Sequence, residues 1–436
     1  MELTKKNAAR KKKIISTTGS RVVRNISRSR NARNIKRVAC FALGGHTAAQ
    51  NTEFKTLIEI LDPLGYRFFG AEDGFKAFES RVTYELTLDY IPDGFAGFVA
   101  GAERNTLYNE DGSVNFDKIG QAADFFKKGK FDLVVASAGD DHGEQIHILD
   151  ENIGEVDFYV ENKTMDDDLG GCNPIPETDF TSGFHTAVTV GVRQIKHHFA
   201  GAWTNNLPYL ICPFGRDANW IGLALSYWGN ADRFVYGELP DGHKGHKIER
   251  IAEVIRESQD ENFKKYGRRF AMIVIAEGTR ISGIEHTDKK LTDVHGHHKL
   301  NPSHLVSILK SELEVNYGIK TQTSGITYRM RNDSPSSKER RYSKMSANVI
   351  AKAIQEGNAG MESVFLIRGD KVKASVAPIE RVSEKRFASY YPRPLWNYCD
   401  FTVTDEIGKY YRTLFGPRQN LKTWLPKKPK RFIVPK

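Results

Sequence analysis

The sequence predicts an α/β protein of two Rossmann-like lobes with mainly parallel sheets. Three observations predict it. Short apolar runs rich in β-branched residues, such as Leu133 to Ala136 and Ala271 to Ala276, read as strands buried on both faces, the habit of parallel sheets. Segments of helical spacing alternate with those runs, the βαβ pattern. At 436 residues and 39% hydrophobic composition, the chain can bury more core than one lobe needs.

Taken in order, Val38 to Leu43 (VACFAL) reads as the first strand and Gly44 to Asn51 (GGHTAAQN) as a tight turn opening a helix toward Asp62. Paired glycines let backbone N–H groups approach a phosphate, and a helix N-terminus adds partial positive charge. Tyr66 to Gly70 is the next strand, followed by a glycine- and aromatic-rich segment, Gly94 to Arg104. The run Leu133 to Ala136 closes on Ser137, Ala138 and Gly139, which puts Asp140 and Asp141 at the carboxyl end of a strand, where open α/β sheets hold ligands. Val156 to Val160 leads into Lys163, Thr164, Met165, Asp166, Asp167 and Asp168, a second acidic turn beside the first.

Ser182 to Gly201 has helical spacing, with Val188, Val192 and Ile195 on one side. Tyr209 to Cys212 is a strand, Phe214 to Arg216 a turn and Trp220 to Ser226 a helix; Phe234 and Val235 precede Glu238, and Glu277 closes the strand that begins at Ala271. Gly283 to Asn301 reads as a polar surface loop. Its His295, His297 and His298, with His304 beyond, lack the cysteine or paired carboxylate that would complete a tetrahedral metal set. Ser346 to Gly357 is a helix, Val364 to Arg368 a late strand, and the segment beyond Tyr390 wraps the body.

The net charge of +10 is uneven. Met1 to Arg37 holds 13 of the 64 Lys and Arg and, among acids, only Glu2, so the rest carries 51 basic against 53 acidic residues. That arm reads as disordered and suits nucleic acid, an acidic surface or an organelle transit role, and the C-terminal tail is basic as well. No apolar run approaches a membrane span and no apolar signal core opens the chain, so the expected location is cytoplasmic, with organelle targeting through the arm as the alternative. Cys40, Cys172, Cys212 and Cys399 lack CxxC spacing and read as reduced packing residues.

An acidic run such as Asp166 to Asp168 is, by itself, commonly a solvated loop. Two carboxylate clusters, each closing a strand and one carrying a Lys and a Thr, meet the needs of magnesium-assisted phosphoryl transfer: hard oxygen ligands, a cation for the phosphate and a carboxylate that accepts a hydroxyl proton. Here the sequence resembles the phosphofructokinase family, over about Val38 to Tyr410 and in the family's motif order. The motifs are GGHTAAQN, AGDD (Ala138 to Asp141), KTMDDD (Lys163 to Asp168), TSGFHTA (Thr181 to Ala187), FGRDANWIGLALS (Phe214 to Ser226), AEG (Ala276 to Gly278) and YRMRNDSPSSKER (Tyr328 to Arg340). The resemblance implies a phosphofructokinase-like fold with its active site in the cleft between the lobes. It divides the chain into a basic arm or transit segment (1–37), a phosphoryl-donor lobe (38–175, completed by about 332–380), a sugar-phosphate lobe (176–331) and a C-terminal segment with a basic tail (381–436).

The resemblance also implies roles. Asp140 would hold Mg2+; Asp166 would take the proton from the C1 hydroxyl of fructose 6-phosphate, flanked by Thr164 and Asp168; Arg216 would stabilise the transferred phosphoryl group. Gly45, Asp141 and Lys163 would face the donor phosphates, while Asp168, Phe214, Gly215, Glu277, Tyr328 and Arg331 would bind the sugar phosphate. Asp141, where ATP-dependent members carry glycine, and Lys163 are typical of the pyrophosphate-dependent branch. A carboxylate repels and crowds a nucleotide's inner phosphate, whereas an ammonium supplies charge to a smaller donor. The implied reaction is transfer from pyrophosphate to fructose 6-phosphate, giving fructose 1,6-bisphosphate in glycolysis, by a homodimer or homotetramer.

Several positions depart from the family. Ala48 and Ala49 replace a Pro-Gly, Asp167 an asparagine and Phe214 a methionine, and Leu207 and Gln322 stand where a neighbouring subunit normally contributes two arginines to the 6-phosphate. Each lost arginine removes contacts worth roughly 1.5–3 kcal/mol. These departures support a second expectation, a catalytically weak or inactive regulatory or scaffolding subunit whose basic arms bind RNA or a partner.

Overall fold

The apolar runs become strands whose side chains are covered from both sides, and they sort into two sheets. The computed structural model describes residues 35–426 apart from 93, 103–104, 172–175, 238–244, 285–287 and 293–297, with 288–292 and 298–299 described as backbone. The basic arm to residue 34, the tail from 427, Cys172, Glu238, His295 and His297 lie outside the described residues.

Strands β1 (Lys36–Ala42), β2 (Tyr66–Ala71), β3 (Thr83–Leu86), β4 (Leu133–Ala138) and β5 (Asp157–Thr164) belong to the larger sheet, with the two-residue β6 (Ser182–Gly183) on β5. Strands β7 (Pro208–Pro213), β8 (Arg233–Val235) and β9 (Ala271–Ile275) enter the smaller one. Then come a hairpin of β10 (Asp288–Thr292) and β11 (His298–Lys299), β12 (Gln322–Ile326) in the smaller sheet, and β13 (Met361–Arg368) and β14 (Lys371–Pro378) back in the larger. The larger sheet runs β14-β13-β5-β4-β1-β2-β3, parallel from β13 to β2 and antiparallel at both edges. The smaller runs β12-β7-β9-β8, all parallel.

Burial explains the order. Phe41, Phe78, Phe125, Phe126 and Phe158 fill one face of the larger sheet, and Phe54, Phe68, Tyr159 and Ile350 fill the other. The smaller sheet has its own core, to which the C-terminal segment contributes Trp396, Phe401, Tyr411 and Leu414. Phe234 of β8 donates its N–H to the Phe401 carbonyl at 2.7 Å, so the C-terminal segment covers the β8 edge. No helix among the described residues is long and apolar enough to cross a membrane.

Several elements differ from the sequence expectation, each for a local reason. β5 continues through Glu161, Asn162 and Lys163 to Thr164, because pairing of Ser137 with Glu161 and Ala138 with Asn162 holds these polar residues in strand geometry. Asp140 and Asp141 form the first turn of the helix Asp140–Asn152 rather than a free turn. The helix expected from Ser346 starts at Ser337, where the Ser336 hydroxyl accepts the N–H of Glu339, a Ser-x-x-Glu start signal. The stretch expected as a loop from Gly283 holds the β10–β11 hairpin. Cys40 and Cys212 are buried as expected of packing residues, but Cys399 is exposed.

Candidate active site

A cleft opens at the carboxyl ends of β1, β4, β5 and β7, where the two sheets' loops face each other. The larger sheet brings Gly44 and Gly45 after β1, Asp140 to His142 after β4, and Lys163, Thr164, Asp166 and Asp168 at and after β5. Across it stand Arg216, beyond β7, and Arg331, beyond β12. Nine of the thirteen residues singled out in the sequence therefore line one cleft: Gly45, Asp140, Asp141, Lys163, Thr164, Asp166, Asp168, Arg216 and Arg331. His142 is also in the wall, and its Nε2 lies 3.0 Å from the Asn105 carbonyl.

The first loop is built by contact rather than by a Pro-Gly. Ala49 has ordinary helical angles (φ −84°), so an alanine fits there, and the positive φ (74°) falls on Gly44. A Cβ on Gly45 would sit 2.7 Å from Arg331 Nη1, and that guanidinium also donates to the His46 carbonyl at 3.2 Å. Arg331 thereby joins the two walls. Lys163, only 2% exposed, donates to the carbonyls of Leu43 (2.6 Å) and Gly45 (2.9 Å), so its ammonium braces the same loop.

The acidic turn divides its carboxylates by direction. Asp166 and Asp168 face the cleft; Asp166 N–H donates to Thr164 Oγ1 at 3.1 Å, and Asp166 Oδ2 is 3.9 Å from Arg331 Nη2. Asp166 Oδ1 and Asp168 Oδ1 are buried without a hydrogen-bond partner. Burial, with Asp140 and Asp166 close by, pushes the Asp168 carboxyl well above the usual range. Asp167 points away from the cleft. It has φ 61°, a left-handed conformation that Asp and Asn tolerate, and it is fully buried against Arg386 (2.7 Å), the Tyr411 hydroxyl and Thr181 Oγ1 (3.2 Å). The aspartate in place of the family's asparagine is thus matched by a buried arginine.

The remaining four residues stand behind or beside the cleft. Glu277, 7% exposed, accepts the N–H groups of Gly215 (3.1 Å) and Arg216 (2.9 Å), which holds Arg216 at φ 46°. Burial raises its carboxyl to about 7, against the Arg216 N–H bond and with Asp166 adding to the rise. Phe214 packs edge-on to Tyr328 (ring centroids 5.4 Å) and under the Arg331 guanidinium (5.4 Å). Tyr328 itself is 64% exposed and does not line the cleft.

Sequence reasoning missed Lys385. Its ammonium stands 3.1 Å from Asp140 Oδ2 and 3.9 Å from Asp141 Oδ1. Burial would lower its pKa, but Asp140, Asp141 and Asp168 outweigh that and hold it above the ordinary lysine value. It belongs to no motif.

The oxygen-only donors Asp140, Asp166 and Asp168 suit a hard cation, and the two unpartnered buried oxygens and the raised Asp168 are what a divalent ion would relieve. Among the described residues no group of three or more His, Cys, Asp or Glu side chains is placed to hold a metal ion by itself.

The sequence profile of the family described as Phosphofructokinase matches residues 37–354. The chain belongs to the phosphofructokinase family. Among relatives, a pyrophosphate--fructose 6-phosphate 1-phosphotransferase of Dictyoglomus thermophilum is 24% identical over 331 residues, 74% of this chain and 88% of its own. An ATP-dependent 6-phosphofructokinase of Chloroflexus aurantiacus is 25% identical over 253 residues, 57% of this chain and 66% of its own. The crystal structure of a pyrophosphate-dependent phosphofructokinase from Nitrosospira multiformis shares the fold, with a TM-score of 0.71 at 15% identity over 92% of this chain and 95% of that one. This phosphofructokinase is a phosphotransferase by family, and both donor types occur among its relatives. Lys385 lies beyond the matched residues.

Proposed function

We propose that this phosphofructokinase transfers a phosphoryl group from pyrophosphate to the C1 hydroxyl of fructose 6-phosphate. The observation that carries the donor choice is that Asp141 and Lys163 line one cleft with Asp140. A nucleotide's inner phosphate passing the start of the Asp140–Asn152 helix would meet the Asp141 carboxylate and be repelled, whereas the smaller donor can lie between Lys163 and the opposite wall.

Mg2+ held by Asp140, with Asp168 and Asp166 in reach, would supply charge neutralisation for the donor phosphates. Asp166 is the proton acceptor, its Oδ1 free of hydrogen-bond partners and its backbone tied to Thr164. Arg216, aimed from the second lobe, meets the negative charge of the transferring phosphoryl group, and Glu277 keeps the turn that aims it. Gly45 leaves the space that the Arg331 guanidinium occupies, and Arg331 holds the sugar's phosphate beside Phe214, Gly215 and Tyr328.

A second reading, a weak or inactive regulatory subunit, is favoured by Leu207 and Gln322. They stand at the amino ends of β7 and β12, whereas Arg216 and Tyr328 follow the carboxyl ends of the same strands. Five or six residues at about 3.3 Å each put the two ends roughly 20 Å apart, so neither position reaches this chain's own cleft, and neither has a guanidinium to offer another copy's.

The test is fructose 1,6-bisphosphate formation by the purified full-length protein with Mg2+, supplied with pyrophosphate or ATP, and with Asp166→Ala as the blank. Turnover with pyrophosphate that disappears in the blank is expected. Turnover with ATP alone overturns the donor assignment, and none with either donor in folded protein puts the regulatory reading ahead. The double change Asp141→Gly with Lys163→Gly is expected to weaken pyrophosphate use.

A further inference from the structure

We propose that Lys385 is a donor-binding residue, its ammonium shared between Asp140 and Asp141 in the free enzyme and turned onto the donor's phosphate oxygens when metal occupies Asp140. The assignment rests on the pyrophosphate reading above for the identity of the donor.

The position is set by backbone, not by a flexible side chain alone. After β14 the chain returns to the acidic turn and pairs with it. Gly170 N–H donates to the carbonyls of Val382 (2.8 Å) and Glu384 (3.0 Å), Gly171 N–H to that of Glu384 (2.8 Å), and Arg386 N–H to that of Asp168 (2.7 Å). Leu169 and Lys385 form an antiparallel bridge. Successive residues of an extended segment point to opposite sides. Arg386 accordingly turns into the body against Asp167, and Lys385 turns the other way, against the cleft-lining Asp140 and Asp141. One two-residue stretch thus delivers a cation to each side of the acidic turn.

The charges explain why the cleft requires it. Asp140, Asp141, Asp166 and Asp168 line the cleft, and a polyanionic donor must enter among them. Lys163 is engaged by two loop carbonyls, and Arg331 is tied to His46 and near Asp166. Lys385, 37% exposed, meets both carboxylates at the helix start, and its ammonium can rotate toward solvent-borne phosphate without breaking the fold. A divalent ion on Asp140 displaces that ammonium by like-charge repulsion and directs it to the donor.

The two roles have opposite signs, which makes the idea testable. In Lys385→Met, loss of a cation beside Asp140 is expected to tighten binding of Mn2+ alone several-fold, read by electron paramagnetic resonance of free Mn2+ without substrates. The same change should raise the KM for pyrophosphate roughly 10- to 100-fold, the loss of one charge-assisted contact, with the KM for fructose 6-phosphate within about 2-fold. Lys385→Arg should keep most of the pyrophosphate affinity. A purely structural lysine would weaken metal, donor and sugar binding together in Lys385→Met, and that outcome overturns the assignment. An unchanged KM for pyrophosphate, with Mn2+ binding also unchanged, overturns it too. If the wild type uses ATP and not pyrophosphate, the donor reading fails separately. The Mn2+ titration and the KM for ATP in Lys385→Met then decide whether Lys385 binds a donor phosphate.

Discussion

Glu53 offers the sharpest physical test of the fold behind the cleft. It sits on the helix Gln50–Leu61 that follows the first loop, fully buried. Burial is the main cause that raises its carboxyl to about 8 from an ordinary 4.5, opposed in part by Ser182 and Lys163 and assisted by Glu339. The native state therefore keeps a proton that the unfolded chain releases. This contribution to stability is fully present below about pH 4.5 and is lost as pH rises toward 8. At about 1.4 kcal/mol per pKa unit, the loss between pH 5 and pH 8 comes to roughly 3–4 kcal/mol. Glu53→Gln keeps the shape and never ionises, so its stability relative to wild type should rise by that amount across the same interval. Urea unfolding at pH 5 and pH 8 measures it, with both proteins carrying Glu161→Gln so that the buried neighbour whose carboxyl Glu53 helps to raise does not titrate. A difference that stays constant with pH, or a variant that loses ground at pH 8, would show that Glu53 is ionised in the native state and refute the reasoning.

Further outcomes follow from other contacts. Asp167→Ala leaves Arg386 buried without its carboxylate and should cost about 3–5 kcal/mol, seen as a lowered Tm, while Asp167→Asn keeps the left-handed turn and should cost less. Gly45→Ala puts a methyl 2.7 Å from Arg331 Nη1; the guanidinium can swing, so stability should change by less than about 1 kcal/mol while the KM for fructose 6-phosphate rises roughly tenfold. Asp166→Asn should lower kcat about 10²- to 10⁴-fold in steady-state assays, with the Tm nearly unchanged.

Much of the site was legible because chemistry and spacing coincide there. The apolar runs that end at Ala136 and Val160 announce strands, and the acidic residues that follow each run are what a sheet presents at its carboxyl edge. That reasoning placed Asp140, Asp166 and Asp168 together before any contact was known. The length of β5 was hidden for the opposite reason. Glu161, Asn162 and Lys163 carry no strand signal, and pairing with β4 and β6 and cover from the helix Ser337–Glu356 hold them in the sheet.

The direction of each carboxylate was hidden as well. In the run Asp166, Asp167 and Asp168 the residues are chemically alike, yet the positive φ of Asp167 turns the middle one into the body. Its partner Arg386 and the lysine that meets Asp140, Lys385, lie more than 200 residues further along the chain and reach the acidic turn through hydrogen bonds between main-chain groups, which any sequence can make.

By itself the sequence determined the class of fold, the family and the order in which the site's residues occur, because periodicity and local motif chemistry are carried by neighbours in the chain. Tertiary structure alone decided which acids face the cleft, that Glu277 braces the turn behind it, and that Lys385 meets Asp140. Those facts depend on how separate segments pack and pair, and no local pattern of residue types encodes them.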